Sequence, residues 1–220
     1  REFLRERFFR QINRVRMENL RSRISPHFTF NVLGREINQF TGSEDVKNNL
    51  LELVKYLRRS LELTEKLSVS LQDELDFVRS YINLERGRVG EDFTATVTVE
   101  EGLDASRVMI PSMIIQIPVE NAIKHGFVNL NQTGHIDLII EEASQGVHIH
   151  IHNNGHTYAP FAPSNNKLES TGTGLRIIYQ SIQLLNTHNK QKITFQILPG
   201  KEEGTTISIF IPYQYSYEWQ

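Results

Sequence analysis

Residues 24–31 read ISPHFTFN, so His27 follows Pro26 inside a stretch whose apolar positions otherwise repeat as in a helix. A proline inside a helix removes a backbone hydrogen bond and costs roughly 3 kcal/mol. The residue set at that weakened turn is an imidazole, a titratable nucleophile. A second string, PVENAIKHG at 118–126, places Glu120, Asn121, Lys124 and His125 at spacings of one, three and four residues. On a helix that spacing puts Asn121, Lys124 and His125 on a common face with Glu120 beside it. A carboxamide oxygen, a carboxylate and a cation together suit a triphosphate carrying Mg2+, because Mg2+ takes oxygen ligands and lysine meets phosphate. The same residues also make a solvated helix end closed by Gly126, and spacing alone leaves both readings open.

Three further strings carry related chemistry. IHIHNNG at 149–155 ends an alternating strand in Asn153, Asn154 and Gly155. Amide side chains at a strand end can hydrogen-bond a base edge while glycine admits close approach of the backbone; an Asn-Gly turn with no ligand is the other reading. In STGTGL at 170–175, Gly172, Thr173 and Gly174 lead into a helix, whose free N–H groups favour phosphate, although such a pair of glycines is also an ordinary entry to a helix. Gly204 and Thr205 open the last strand, where a hydroxyl can join the same pocket. His148, His150 and His152 alternate onto one strand face; zinc would need a further ligand and outer support, so they are read as an exposed face rather than a metal site.

The elements that must position these residues follow from periodicity. From Phe3 to Phe40 the apolar residues Leu4, Phe8, Ile12, Val15, Leu20, Ile24, Phe28 and Val32 form a helical stripe. Thr41, Gly42 and Ser43 make a turn, with Ser43 as N-cap of a second helix carrying Val46, Leu50, Leu53, Val54, Leu57, Leu61 and Leu63. Two such helices form a hairpin whose apolar faces are expected to bury against a second copy, giving a dimeric four-helix bundle. A third helix follows from Ser68, with Ser70 as its cap and Leu71, Leu75, Val78 and Ile82 on one side. Beyond it the pattern predicts a strand over 93–99, a helix over 110–127, strands over 136–140 and 147–151, a long loop over 153–173 and a helix over 175–185. KITFQI and TISIFIP then close the chain as a hairpin. The fold class is α+β, with the character changing near residue 88.

Composition limits the alternatives. The 220 residues, 39% hydrophobic and 23% charged, can bury a substantial core. Twenty-four Lys and Arg against 26 Asp and Glu give a net charge of -2, which offers no bulk argument for nucleic acid, and no direct nucleic-acid partner is expected. The absence of cysteine excludes disulfides, thiolate nucleophiles and cysteine-rich zinc sites. No run approaches the roughly 20 apolar residues that span a bilayer. The chain opens at Arg1 already in helical rhythm, which suggests a missing upstream part.

Taken in order, ISPHFTFN, IPSMIIQIPVENAIKHG, IHNNG and TGTGL resemble the phosphoacceptor box, N box and two glycine boxes of the LytS-type (PHFxFN) sensor histidine kinases. The similarity runs from Val15 to Pro212, and LQDELDFVRSYINLERGRVGEDF resembles the family's connecting helix. The resemblance implies that residues 1–70 form the helical dimerisation and phosphoacceptor region. Residues 71–220, including the connecting helix, would form a GHKL (Bergerat) α/β sandwich that binds ATP. His27 would be the residue phosphorylated, and an ordinary histidine with a pKa of about 6.5 is largely neutral at pH 7, as nucleophilic attack requires; a histidine simply packed beside Phe28 is the alternative. Asn31 would orient the ring or contact phosphate. Asn121 would be the Mg2+ ligand, Glu120 its neighbour in a base role, and Lys124 and His125 would lie near the phosphates. Asn153 and Gly155 would line the base pocket, with Gly172 and Gly174 at the hinge of a lid over 155–173 and Thr205 supporting adenine recognition. The implied partners are a second copy of the chain and a response regulator that accepts the phosphoryl group on aspartate. The implied setting is the cytoplasmic portion of an inner-membrane protein, joined to the membrane by an upstream segment.

The sequence departs from that family at three positions. Asn153 stands where the family has the Asp of Asp-Asn-Gly, Thr157 where a glycine is expected, and Ile177 where Asn is common. An amide oxygen still accepts a hydrogen bond from an adenine amino group but without charge assistance, so weakened affinity is expected. A degenerate kinase fold that relays conformation by docking is the competing function.

Overall fold

In the computed structural model, which describes residues 44–89, 93–127, 133–156, 172–199 and 204–218, the chain enters through α1 (Glu44–Glu65). Glu44 and Asp45 occupy its first turn, where negative charge favours the exposed N–H groups. The helix expected over Phe3 to Phe40, the cap at Ser43 and hence the hairpin lie outside the described residues. α1 buries Leu53 and Leu63, and Tyr56 stacks flat on Phe77 of the next helix with ring centroids 4.9 Å apart. Arg59 reaches Asp73 of that helix in an ion pair.

A short strand, β1 (Ser68–Ser70), precedes α2 (Leu71–Val89). Ser70 caps α2 as expected, its Oγ accepting the Asp73 N–H at 3.0 Å. The anticipated Leu71, Leu75, Val78 and Ile82 are buried, and Phe77 and Tyr81 join them. β1 itself differs from the expectation, which began the helix at Ser68: it pairs antiparallel with β3 (Met109–Pro111).

The main sheet has the order β2-β4-β5-β7-β6, made by β2 (Phe93–Val99), β4 (Gly134–Ala143), β5 (Gly146–Asn153), β6 (Thr194–Pro199) and β7 (Thr205–Pro212). β2 runs parallel to β4 and the remaining pairs are antiparallel. β4 and β5 run longer than the apolar alternation alone because each is paired on both sides. Ile136, Leu138, Ile140, Val147, Ile149, Ile151, Ile207, Ile209 and Ile211 alternate onto the buried face. There they meet α2 and α4 (Gly172–Asn186), whose Leu175, Ile178, Ile182 and Leu185 recur at helical spacing. The opposite face carries His148, His150 and His152, as the alternation predicts, with His148 and His150 stacked at 5.8 Å. Among the described residues no three His, Asp or Glu side chains come together to hold a metal ion.

The single helix expected over 110–127 is replaced by four pieces. β3 ends at Pro111, residues 112–115 turn, α3 (Gln116–Asn121) follows, and Ala122–Gly126 form a wider π-turn. Met113 takes a left-handed conformation, φ 70°, which breaks any continuous helix. The carboxylate of Glu74 then receives the N–H groups of Met113 and Ile115, both at 2.7 Å, and of Gln116 at 3.2 Å. Those amides would be orphaned at a helix start, and Glu74 supplies their acceptor.

At the start of β7, Gly204 has φ +88°, and a Cβ there would stand 1.8 Å from the backbone oxygen of Asn153. Gly102 has φ +92° with nothing within 4 Å of such a Cβ. Gly102→Ala is expected to cost only the conformational strain of about 1–2 kcal/mol. Gly204→Ala should cost more in urea unfolding, because it adds a clash to the same strain; equal losses would contradict this reading of the β7 start.

Candidate functional site

The antiparallel register brings the end of β5 beside the start of β7, pairing Asn153 with Thr205, and sets Asn153 opposite Ile136 near the start of β4. One end of the sheet therefore gathers Asn153, Asn154, Gly155, Gly204 and Thr205. Asn153 is 8% exposed; its Oδ1 accepts the Gly155 N–H at 3.1 Å, and its Nδ2 points to the Thr205 carbonyl at 3.4 Å. Buried Thr205 directs its hydroxyl to the His156 carbonyl at 3.4 Å. Asn154 fastens the neighbouring strand: its Oδ1 accepts the His135 N–H at 2.6 Å and its Nδ2 donates to the Thr133 carbonyl at 3.0 Å. The IHNNG string is thus both a strand end and a brace.

The α3 segment reaches the same end of the sheet. After the π-turn, Phe127 packs on Phe93 at 6.1 Å and lies over Gly134, where a Cβ would meet its ring at 2.5 Å. A π-turn widens the helix by one residue and alters where the following side chains project. Lys124, inside it, forms an ion pair with Glu120. Glu120 therefore does more than flank the expected face: it holds the lysine. Asn121 is next to that pair, with a buried Nδ2 that has no hydrogen-bond partner among the described residues.

An Mg2+ ion bound to phosphates requires hard oxygen donors in an unstrained arrangement. The Asn121 carboxamide oxygen and the Glu120 carboxylate are donors of that kind, and Lys124 supplies the accompanying positive charge. Gly172 and Gly174 stand in the first turn of α4, as expected for the TGTGL string. Gly155 is described and buried. His27 and Asn31, the side chain of His125 and Thr157 lie outside the described residues. Ile177, at the third departure, is buried and lines a small apolar cavity with Ile114, Ile117 and Ile178.

Sequence reasoning did not single out two residues that the structure ties to this segment, Glu74 and Ser112. Glu74 is fully buried, and the signal for it was present: with Leu71, Leu75 and Val78 it occupies the apolar stripe of α2, where a carboxylate needs a specific acceptor role. Nearby, Tyr217 donates to the Met109 carbonyl at 2.9 Å; burial, then the charges of Tyr215 and Glu74, push its hydroxyl well above the usual tyrosine pKa.

Comparisons with known proteins place the chain among its relatives. Residues 15–93 match the family model described as histidine kinase. The chain is 31% identical over 209 residues to the sensor histidine kinase/phosphatase LytS of Staphylococcus aureus, covering 90% of this chain and 34% of that protein. It is 29% identical over 206 residues to the sensor histidine kinase YpdA of Escherichia coli, covering 92% and 35%. The chain belongs to the LytS-type sensor histidine kinases. It spans about a third of the length of these curated relatives. Among solved structures, the catalytic domain of the histidine kinase ThkA aligns at 17% identity and TM-score 0.48, over 66% of this chain and 94% of that one. A blue-light activated histidine kinase of Erythrobacter litoralis aligns at 20% identity and TM-score 0.49, over 94% and 60%.

For this kinase-family chain the bracing role of Asn154 is directly measurable. Asn154→Ala removes two side-chain bonds, each worth about 0.5–1.5 kcal/mol net, so unfolding free energy should fall by ~1–3 kcal/mol. Amide exchange at His135 should accelerate in that variant; unchanged exchange there would show that Asn154 does not hold the β4 start.

Proposed function

We propose that the chain is the ATP-dependent phosphotransfer part of a two-component sensor kinase, with His27 as the phosphorylated residue. The observation that carries the reading is the Asn121 side chain, whose buried Nδ2 has no hydrogen-bond partner among the described residues, beside the Glu120–Lys124 pair on the segment that reaches the sheet end of Asn153 and Thr205. ATP with Mg2+ would supply the phosphoryl group and neutralise the charge that develops on its oxygens. Asn121 would hold the ion, and Lys124 would turn from Glu120 to phosphate oxygens, leaving Glu120 as the base. A ring nitrogen of His27 would form a bond to the terminal phosphorus as the bridging P–O bond breaks, the electron pair leaving with ADP and the ring proton passing to Glu120. Gly155, Gly172 and Gly174 would let the intervening segment close over the nucleotide. Such transfer depends on positioning and charge more than on covalent chemistry by the protein, which suits side chains held at one sheet end. We further propose a homodimer and a response-regulator aspartate as the next acceptor, in the cytoplasmic portion of a membrane-anchored sensor. Among the described residues no helix is long and apolar enough to cross a membrane.

One observation favours the competing reading, a non-catalytic kinase fold that signals by docking. The Asn153 oxygen is already engaged by the Gly155 N–H, which leaves it less free to accept from an adenine amino group. Labelled ATP with Mg2+ separates the two. The wild-type chain is expected to acquire an acid-labile label that His27→Ala and Asn121→Ala abolish; a wild-type chain that neither binds nucleotide nor takes label would establish the docking reading. Asn153→Asp should tighten ATP binding about fivefold, since a charged acceptor adds roughly 1 kcal/mol to a hydrogen bond. Calorimetric titration measures it, and unchanged or weaker binding would remove Asn153 from base recognition.

A further inference from the structure

We propose that Glu74 and Ser112 form a joint that couples the end of α1 to α3, with Glu74 as the positioning residue that sets the Glu120–Lys124 segment. The inference rests on the kinase reading for its consequence, although not for its geometry. The turn at 112–116 is held from two sides. From α2, the Glu74 carboxylate takes three amides: Met113 on Oε2 at 2.7 Å, and Ile115 and Gln116 on Oε1 at 2.7 and 3.2 Å. From α1, the carbonyl of Leu63 receives the Ser112 hydroxyl, and the carbonyl of Leu67, just beyond the helix, receives the Ser112 N–H at 3.1 Å. Ser112 thus bonds the last turn of α1, and the next residue, Met113, bonds Glu74.

Three features make this a joint rather than a simple cap. Met113 sits at φ 70°, a conformation that a side chain adopts only when its surroundings hold it there. The carboxylate is fully buried and takes three backbone amides, all of which it would lose if the turn moved away, so the turn has little freedom to drift. Beside the turn, an apolar cavity of about 30 Å³ lies between Leu63, Met113, Ile117, Ile178 and Ile182, leaving room for the turn to shift as a unit against α4. A displacement of the end of α1 therefore pulls on Ser112, tilts the turn, and moves α3, whose last two residues are Glu120 and Asn121. Packed interiors respond to such a pull by switching between arrangements rather than by stretching.

Hydrogen exchange on the full chain, with ATP binding and His27 labelling in parallel, tests the joint. Ser112→Ala removes a single side-chain bond and is expected to fold. It should accelerate amide exchange about tenfold across 116–126 as well as at 112–113, because the whole segment loses its anchor. It should also lower the labelling rate more than the ATP affinity. Glu74→Gln, which sets an amide donor against backbone donors, should additionally weaken ATP binding in the folded fraction. If Glu74→Gln does not fold, Ser112→Ala alone decides. Exchange changes confined to 112–113 in Ser112→Ala would overturn the proposal. A wild-type chain that binds no ATP would remove the kinase reading, while the spread of exchange to 116–126 would still establish the joint.

Discussion

The arrangement of the site depends on one buried carboxylate. Glu74 lies on the apolar side of α2, and burial of an ionised group is tolerable only where hydrogen bonds replace its hydration. The replacement comes from three amides that begin the segment bearing Glu120, Asn121 and Lys124. The same contact therefore satisfies the carboxylate, supplies acceptors for amides that no helix turn could serve, and fixes where α3 begins. Phe127 then seats the far end of that segment on Gly134 and Phe93, so the segment is pinned at both ends.

The sheet contributes the second half of the site through register. Because β5 and β7 are antiparallel neighbours, a strand end and a strand start meet, and Asn153 necessarily faces Thr205. Gly204 admits the close passage of the Asn153 backbone, and Asn154 ties the adjoining β4 start. The resulting platform is rigid where the base would be read, while α4 begins at Gly172 on the far side of the intervening segment.

Much of this was legible in the sequence because it depends on local pattern. Strict alternation gave β2, β4, β5 and β7, and the helical recurrence of Leu175, Ile178, Ile182 and Leu185 gave α4. The Ser70 cap was readable because cap and target lie three residues apart. What escaped was non-local. β1 and β3 have three residues each, too few to show a period, and exist only because they pair with one another. The stretch at 110–127 reads as a helix by its apolar content, but its start is set by a carboxylate 39 residues upstream of Met113. The Glu120–Lys124 pair follows the ordinary spacing of four, yet the sequence alone gave no reason to prefer that partner over phosphate.

On the proposed reading this sheet end and the α3 segment together bind a nucleoside triphosphate with Mg2+. Thermal unfolding of the wild-type chain and of Asn121→Ala, each with Mg2+ alone and with Mg2+ and ATP, tests it most directly. Binding to the folded state raises the unfolding temperature by mass action, about 2.7 kcal/mol of added stability at a hundredfold excess over the dissociation constant. An ATP-dependent rise is expected in the wild type and is lost in Asn121→Ala. No rise in either protein, or an equal rise in both, would contradict it.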